Sequence, residues 1–299
     1  MKRNFAVLLL VFLALATAVP SLAAMGTGYS VQSDGSQKLY RIDLATGVAT
    51  PLGTTGFEGI EGLAFDPGCK KLYGVDDVKD RLVTCDLKTG GCTTVGSLGL
   101  DVTDTGLSFT SNGSFFMSTD APKNPLRFFA LDLKTGAATW IGNQGTEVTG
   151  LAGNFFALYG LGGDGKDNLV IVDPATGKAT PVGPLGAVTL QDGGLDFDRD
   201  GTLYGLNDLG PGSTASGKPS QLFKIATQTG KATLVVTLKD PSGKPINGFE
   251  GLAIEGGICA VAGFGEAVAL DDAPALDAWG LGLLAMGLAT AALMVLRRV

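Results

Sequence analysis

The stretch Leu39-Tyr-Arg-Ile-Asp-Leu-Ala-Thr-Gly47 decides the fold, because versions of it occur five times along the chain. The other four are Leu82-Val-Thr-Cys-Asp-Leu-Lys-Thr-Gly90, Phe128-Phe-Ala-Leu-Asp-Leu-Lys-Thr-Gly136, Leu169-Val-Ile-Val-Asp-Pro-Ala-Thr-Gly177 and Leu222-Phe-Lys-Ile-Ala-Thr-Gln-Thr-Gly230. Each continues into a short strand such as Ala49-Thr-Pro-Leu-Gly53. An Asp in four of the turns can accept backbone N–H groups, and the final Gly can adopt the left-handed conformation. The stretch therefore predicts a β-hairpin that is used five times.

The spacing of the hairpins predicts a β-propeller. Successive Thr-Gly pairs are 43, 46, 41 and 53 residues apart, which is the length of a four-stranded blade. Two more strands complete each repeat, for example Gly62-Leu-Ala-Phe65 and Leu72-Tyr-Gly-Val75. We name the strands of a blade a, b, c and d, where the hairpin supplies c and d. The small residues of strand a suit the crowded position nearest the propeller axis.

The repeat count indicates an all-β fold, a five-bladed β-propeller of four-stranded antiparallel blades. Six blades is the alternative, because Cys259-Ala-Val-Ala262 adds a surplus segment that resembles strand b. The first strand, Tyr29-Ser-Val-Gln32, also resembles strand b, and it precedes the first hairpin. We therefore expect the last blade to combine strands from both ends of the chain.

Both ends of the sequence carry hydrophobic segments. Lys2 and Arg3 precede an apolar run over residues 5–19 and the small residues 21–24, the pattern of a secretory signal peptide over residues 1–24. Near the other end, the apolar run 279–296 is followed by Arg297 and Arg298. Eighteen residues are just enough to cross a bilayer as a helix, with the arginines on the cytoplasmic side. The propeller is thus expected over residues 25–272 and a transmembrane sorting segment over residues 273–299.

A short motif stands before the second apolar run. Its residues are Pro274, Leu276, Asp277, Trp279 and Gly280, in the pattern P-x-L-D-x-W-G. This pattern resembles the IPTL-CTERM protein-sorting signal of Gram-negative bacteria, a relative of the PEP-CTERM signals. The resemblance implies export, anchoring by the C-terminal transmembrane helix and recognition by a sortase-like processing protease. The protein would then reach the cell surface or the extracellular matrix, where its ligand is unknown.

Composition narrows the possible chemistry. The chain contains no histidine, which excludes Ser-His-Asp and Cys-His mechanisms and every His-ligated metal site. The formal net charge is −7, and it is still more negative without the two terminal segments, which carry four basic residues and one acidic residue. Such a surface repels phosphate backbones, so nucleic acid is not an expected partner.

Four acidic residues are expected to ring the mouth of the axial channel. They lie one or two residues before the Gly of a strand a: Glu61, Asp104, Asp192 and Glu250. A second set follows strands b on the same face and is expected farther out: Asp77, Asp120, Asp164 and Asp208. Hard carboxylate oxygens favour Ca²⁺, which makes calcium the expected cofactor of this site. The alternative is that these carboxylates accept hydrogen bonds from loop N–H groups between blades.

Two of the strands suggest a catalytic alternative. Glu61-Gly-Leu-Ala64 and Glu250-Gly-Leu-Ala253 resemble the E-G-L-A strand of phytase-like esterase and lactonase-type propellers. That resemblance implies a metal that polarises a carbonyl or phosphoryl group. Because no complete catalytic constellation is present, a secreted, surface-directed binding or structural module is our first hypothesis. A Ca²⁺-dependent lactonase or phosphoesterase is the alternative.

A second acidic motif predicts an ordinary turn. Asp196-Phe-Asp198-Arg-Asp200-Gly201 imitates the start of a calcium loop, but position 207, where the closing Glu is needed, is Asn207. Asp-Gly is also a common hairpin signal. We therefore expect a plain turn between strands a and b.

The four cysteines predict two disulfides, which an exported protein can form. Cys85 and Cys92 flank a hairpin turn and fall on facing strands, so a cross-strand bridge is expected. Cys69 and Cys259 stand at a–b turns of the first and last repeats. Ring closure makes those blades neighbours, so a second bridge between them is expected to fasten the ring.

Overall fold

The computed structural model describes residues 26–32, 36–120, 125–162, 167–186, 188, 191–208 and 217–256. Within these residues, twenty strands form five antiparallel sheets of four strands each. The prediction of a five-bladed propeller is therefore confirmed, and the six-bladed alternative is wrong.

Each sheet is one blade, and its strands run from the axis outwards in the order a, b, c, d. Blade 1 contains β4 (Ile60–Phe65), β5 (Leu72–Asp76), β6 (Arg81–Cys85) and β7 (Cys92–Ser97). Blade 2 contains β8 (Gly106–Phe109), β9 (Phe115–Thr119), β10 (Arg127–Leu131) and β11 (Ala138–Asn143). Blade 3 contains β12 (Val148–Gly153), β13 (Leu158–Gly162), β14 (Asn168–Val172) and β15 (Ala179–Pro184). Blade 4 contains β16 (Gln191–Phe197), β17 (Leu203–Asp208), β18 (Gln221–Ile225) and β19 (Ala232–Thr237).

The fifth blade, which we call the closing blade, joins both ends of the described chain. Its order is β20 (Glu250–Ile254), β1 (Thr27–Gln32), β2 (Lys38–Asp43) and β3 (Ala49–Thr54). Strand β1 pairs with both β20 and β2 and so occupies position b. The expected closure is confirmed. The surplus segment 259–262 lies outside the described residues. Position b of the closing blade, which a segment of this kind would occupy, is already occupied by β1.

The hairpin turns have the predicted chemistry. In the turn of blade 1, Asp86 Oδ1 accepts hydrogen bonds from the backbone N–H groups of Lys88 and Thr89 at 2.9 and 2.8 Å. Gly90 follows with a φ of +75°. The turn of blade 4 has Ala226 instead of Asp and retains the backbone bond from Gly230 N to Ala226 O at 2.8 Å. The glycine at the end of the turn is therefore sufficient for the hairpin, and the Asp adds to it.

Neighbouring blades are joined by one repeated backbone contact. The first residue of each strand d donates its N–H to a carbonyl just after strand d of the preceding blade, at 2.8–3.0 Å. The five donor–acceptor pairs are Cys92–Thr55, Ala138–Leu98, Ala179–Gln144, Ala232–Leu185 and Ala49–Lys239. The last pair closes the ring between blade 4 and the closing blade.

The hydrophobic core lies between the blades. Five clusters of buried side chains each combine residues from two adjacent sheets. Between blades 1 and 2, for example, Tyr73 packs against Phe109 and Phe115. Each blade therefore buries both faces against its neighbours, and an incomplete ring would leave one such face exposed to water.

The Cys85–Cys92 bridge is formed, as the sequence predicted. The two residues are directly opposite in the β6–β7 register, with Cα atoms 3.9 Å apart. Cys69 also takes part in a disulfide. Its expected partner, Cys259, lies outside the described residues, so the Cys69–Cys259 pairing stays a prediction.

The two predicted terminal segments, 1–24 and 273–299, lie outside the described residues as well. Among the residues that are described, no helix is long and apolar enough to span a membrane.

We predict that the contact between blades tolerates no side chain at the turn glycine. A Cβ at Gly136, where φ is +77°, would lie 2.5 Å from the carbonyl oxygen of Gly96 in blade 1. Gly136→Ala should therefore lose about 1 kcal/mol for the left-handed backbone and roughly 1–3 kcal/mol more for the clash. Chemical denaturation measures the loss.

Gly113→Ala is the matched control, because Gly113 has a φ of +84° and open space around its Cα. In Gly113→Ala, the left-handed backbone is the expected cause of any loss in the free energy of unfolding. An equal loss in the free energy of unfolding in Gly136→Ala and Gly113→Ala would contradict the proposed role of the contact between blades.

Candidate functional site

Three of the four predicted mouth residues lie together at one end of the axial channel. Glu61 in β4, Glu250 in β20 and Asp104 just before β8 line a recess with an empty volume of about 200 Å³. Thr105, Thr149, Gly62 and Gly251 complete its wall. The grouping follows from the fold, because every strand a begins at this face of the disc.

Glu61 is at the centre of the carboxylate cluster. Its Oε2 accepts a hydrogen bond from the backbone N–H of Thr105 at 3.0 Å, which links blades 1 and 2. Protein surrounds the side chain on most sides, and this desolvation raises the pKa of Glu61 well above its usual range. The negative charges of Glu250, Asp77 and Asp104 raise that pKa further.

Asp77 lies near Glu61, and its negative charge contributes to the raised pKa of that carboxyl group. Burial raises the pKa of Asp77 as well, its interaction with the Glu61 carboxyl group lowers that pKa, and the charges of Asp76 and Asp104 raise it again. Among the described residues, its Oδ1 atom is buried without a hydrogen-bond partner. Asp77 does not itself line the recess, and its place farther out than the mouth residues stays a prediction.

Asp104 and Thr105 bring blade 2 to the recess. Asp104 has a left-handed backbone with a φ of +48°, and its pKa is raised by burial and by the charge of Asp120. Thr105 is only 3% exposed, and its Oγ1 has no hydrogen-bond partner within the described residues. An oxygen that faces a recess without a partner is available to a ligand.

The structure describes the side chains of only some of the remaining predicted site residues. Asp192 lies in β16, but its side chain is outside the described part of the molecule, and so is Asp164. Across the residues whose side chains are described, no three acidic or cysteine side chains are close enough to hold a metal ion as they stand. Glu61, Asp104 and Glu250 therefore line one recess without converging on a single point.

The expected turn in the second acidic motif is confirmed. Asp198 Oδ1 accepts hydrogen bonds from the N–H groups of Asp200 and Thr202 at 2.9 and 2.8 Å. Asp196, in contrast, belongs to β16 and lines the other end of the axial channel. Its two oxygens accept from Ile254 N at 2.6 Å and Phe197 N at 2.8 Å, which joins blade 4 to the closing blade.

Sequence reasoning missed this bridging role of Asp196, although the repeat alignment contains a signal for it. Asp196 occupies the position of Ser108 in blade 2, whose Oγ accepts from Gly153 N of blade 3 at 2.7 Å. Ala64, Ala152 and Ala253 stand at that position in the other blades. A polar residue among alanines on the innermost strand could have indicated an inter-blade hydrogen bond.

The recesses along the axis are small. Their empty volumes are about 300 Å³ around Asp196, 160 Å³ at the central glycines and 200 Å³ at the mouth. These volumes include space that is open to solvent, and the enclosed space in each recess is only on the order of one water molecule. The mouth therefore suits an ion or one small polar group of a larger ligand.

Comparisons with known proteins identify no family for this chain. No protein-family profile matches the chain, and no curated protein matches its sequence. A chain in the crystal structure of a nidogen/laminin complex is similar at 14% identity, with a TM-score of 0.45 over 73% of this chain and 76% of that one. A protein of unknown function from Bacteroides thetaiotaomicron is 19% identical, with a TM-score of 0.42 over 56% of this chain and 53% of that one. The class, a five-bladed β-propeller with an acidic channel mouth, rests on the strand order and side chains of the chain itself.

We predict that Asp196 makes stability fall as pH rises. Desolvation raises the pKa of Asp196 from an ordinary value of 3.8 to about 7. Between these values the unfolded chain loses a proton that the folded protein keeps, so stability decreases from about pH 4 to pH 7 and then levels off. Asp196→Asn retains one acceptor, for Ile254 N, and loses the one for Phe197 N. It should remove this slope and add at most about 4 kcal/mol near pH 8. Denaturation at a series of pH values measures it, and identical slopes in both proteins would refute it.

Proposed function

We propose that this protein is exported and acts at the cell surface as a β-propeller binding module, with the acidic channel mouth as its ligand site. The observation that carries the proposal is the gathering of Glu61, Asp104 and Glu250 around one recess, with Asp77 near Glu61. One N–H donor, from Thr105, reaches the carboxylate of Glu61. Like charges held together without a cation raise the free energy of the folded protein, and a cationic ligand would lower it again.

Calcium is the ligand that best fits the oxygen atoms at the mouth. Ca²⁺ accepts six to eight oxygen ligands in flexible geometry, so modest side-chain rotations could bring separated carboxylates onto one ion. Thr105 Oγ1 and Asp77 Oδ1 are buried oxygens without hydrogen-bond partners in the described residues. The nearby Arg81 does not neutralise the cluster, because its Nε donates to Asp76 Oδ2 at 2.6 Å instead.

Calcium should therefore stabilise the folded protein. We expect millimolar Ca²⁺ to raise the melting temperature by several degrees, because binding at 100 times Kd adds about 2.7 kcal/mol. The double variant Glu61→Gln, Glu250→Gln should lose this shift. Asp198→Asn with Asp200→Asn, in the turn on the opposite face, should keep it. No thermal shift in the unmodified protein would leave the carboxylates as inter-blade hydrogen-bond acceptors only.

Export and sorting complete the proposal. The signal sequence over residues 1–24 and the pattern Pro274, Leu276, Asp277, Trp279, Gly280 support membrane anchoring followed by handling by a sortase-like processing protease. The ligand met at the surface or in the matrix would be an anionic group bridged by Ca²⁺ or a cationic group bound directly. Nucleic acid remains disfavoured by the net charge of −7.

We predict that processing removes the apolar segment 279–296. Mass spectrometry of the C-terminal peptide from cell-surface material should find an end near residue 275, since the cleavage signal precedes the apolar run. Replacing Pro274 and Trp279 together by Ala should leave the protein in the membrane fraction. An intact Val299 in the surface fraction would contradict the prediction.

A Ca²⁺-dependent lactonase or phosphoesterase is the second candidate. The specific observation in its favour is that Glu61 and Asp77 are neighbouring carboxyl groups with raised pKa values, which is typical of groups that transfer protons. Turnover of aryl esters, lactones or phosphate esters by the calcium-loaded protein, lost in Glu61→Gln, would establish it. Calcium binding without turnover would support the binding module.

A further inference from the structure

We propose that the turn between β12 and β13 contacts a lipid bilayer through Phe155 and Phe156, so that the face of the disc opposite the acidic mouth is turned towards the membrane. The inference rests on the membrane-tethered state described under the proposed function. It adds an orientation and a contact surface that the sorting motif does not supply.

The two aromatic side chains are exposed at the tip of a well-formed turn. Phe156 is 95% exposed and Phe155 is 52% exposed, whereas Leu151 on β12 and Leu158 and Leu161 on β13 are buried. Asn154 fixes the turn, because its Oδ1 accepts from the N–H groups of Phe156 and Ala157, both at 2.8 Å. A backbone bond from Asn154 N to Ala157 O at 2.9 Å closes it. The phenylalanines are therefore presented to the outside by a hydrogen-bonded turn.

Turn geometry does not require phenylalanine at these positions. The equivalent a–b turns of the other blades read Asp66-Pro-Gly-Cys-Lys-Lys71, Thr110-Ser-Asn-Gly113 and Asp198-Arg-Asp-Gly201. These turns are polar and are held by the same type of side-chain cap, for example Asp66 Oδ1 to Lys71 N at 2.8 Å. Two adjacent exposed aromatic residues thus have no structural explanation within this ring. Removing both from water would yield about 3–5 kcal/mol at most.

The chain leaves the propeller on the same face. Strands β12 and β20 both run from the acidic mouth to the opposite face, so the Phe155–Phe156 turn and Gly256, the last described residue, lie on that side. The apolar run that is expected to span the membrane begins at Trp279. Twenty-two residues separate the two, a tether of at most about 75 Å. Such a tether keeps the disc at a high effective concentration near the bilayer, where a contact of a few kcal/mol suffices.

Charge favours the same orientation. The mouth face carries the carboxylate cluster, which an anionic leaflet repels. The opposite face has exposed lysines on its turns, among them Lys70, Lys134 and Lys178, interspersed with carboxylates such as Asp132 that accept turn N–H groups. The face of mixed charge, with its aromatic tip, can approach anionic lipid with less electrostatic repulsion than the acidic face.

Photo-crosslinking of the full-length chain in vesicles tests the proposal. The protein, with p-benzoylphenylalanine in place of Phe156, is reconstituted into phosphatidylethanolamine–phosphatidylglycerol vesicles, illuminated and analysed by mass spectrometry. We expect lipid adducts at position 156. The control has the same label in place of Val78, which is 46% exposed in the b–c turn on the mouth face, and should give none.

The other outcomes are distinct. A chain that floats with the vesicles but gives no lipid adduct at position 156, or gives a crosslink to a second copy instead, overturns the membrane contact and leaves the tether intact. Adducts at position 78 in place of 156 overturn the orientation. A chain that does not float with the vesicles overturns both this inference and the proposed anchoring.

Discussion

The close approach of glycine backbones between neighbouring blades is the constraint on which the rest of the structure depends. At the outer side, the turn glycine of one blade packs on the strand-d glycine of the preceding blade, as Gly90 does on Gly53. At the axis, a Cβ on Gly106 would lie 2.9 Å from the Gly150 carbonyl carbon, and one on Gly251 would lie 3.0 Å from Leu63 N. A side chain at these glycines would clash with the neighbouring blade. At the junction of blade 4 and the closing blade, where strand d has Val236, Gly47 alone provides the room. The inter-blade hydrogen bonds and the five hydrophobic clusters form as a result.

The same constraint produces the chemistry of the mouth. Since glycines such as Gly62 and Gly251 bring the inner strands together, the acidic residues that precede them are brought together too. Glu61 then meets Asp77 of its own blade and Thr105 of the next one. The stability of a narrow ring is thus linked to a concentration of negative charge at one end of its axis, which a bound cation would offset.

Much of this architecture could be predicted from the sequence. The repeated hairpin, its spacing and the b-like strand at Tyr29 predict five blades and their closure, because strand pairing and turn chemistry are local. The facing positions of Cys85 and Cys92 follow from the same register. The raised pKa values of Glu61 and Asp77 could not be predicted, since they depend on how deeply the folded ring buries each carboxyl group. The exposure of Phe156 and the bridge from Asp196 to Ile254 N likewise depend on the packing of whole blades.

Whether the acidic mouth holds a cation is the central claim, and a crystal structure of the propeller with Ca²⁺ or a lanthanide substitute tests it most directly. The account predicts an anomalous peak at the mouth with oxygen ligands at about 2.3–2.6 Å from Glu61, Glu250 and Asp104. A mouth without a peak, in which these carboxylates accept only hydrogen bonds from loop N–H groups and from one another, would contradict it.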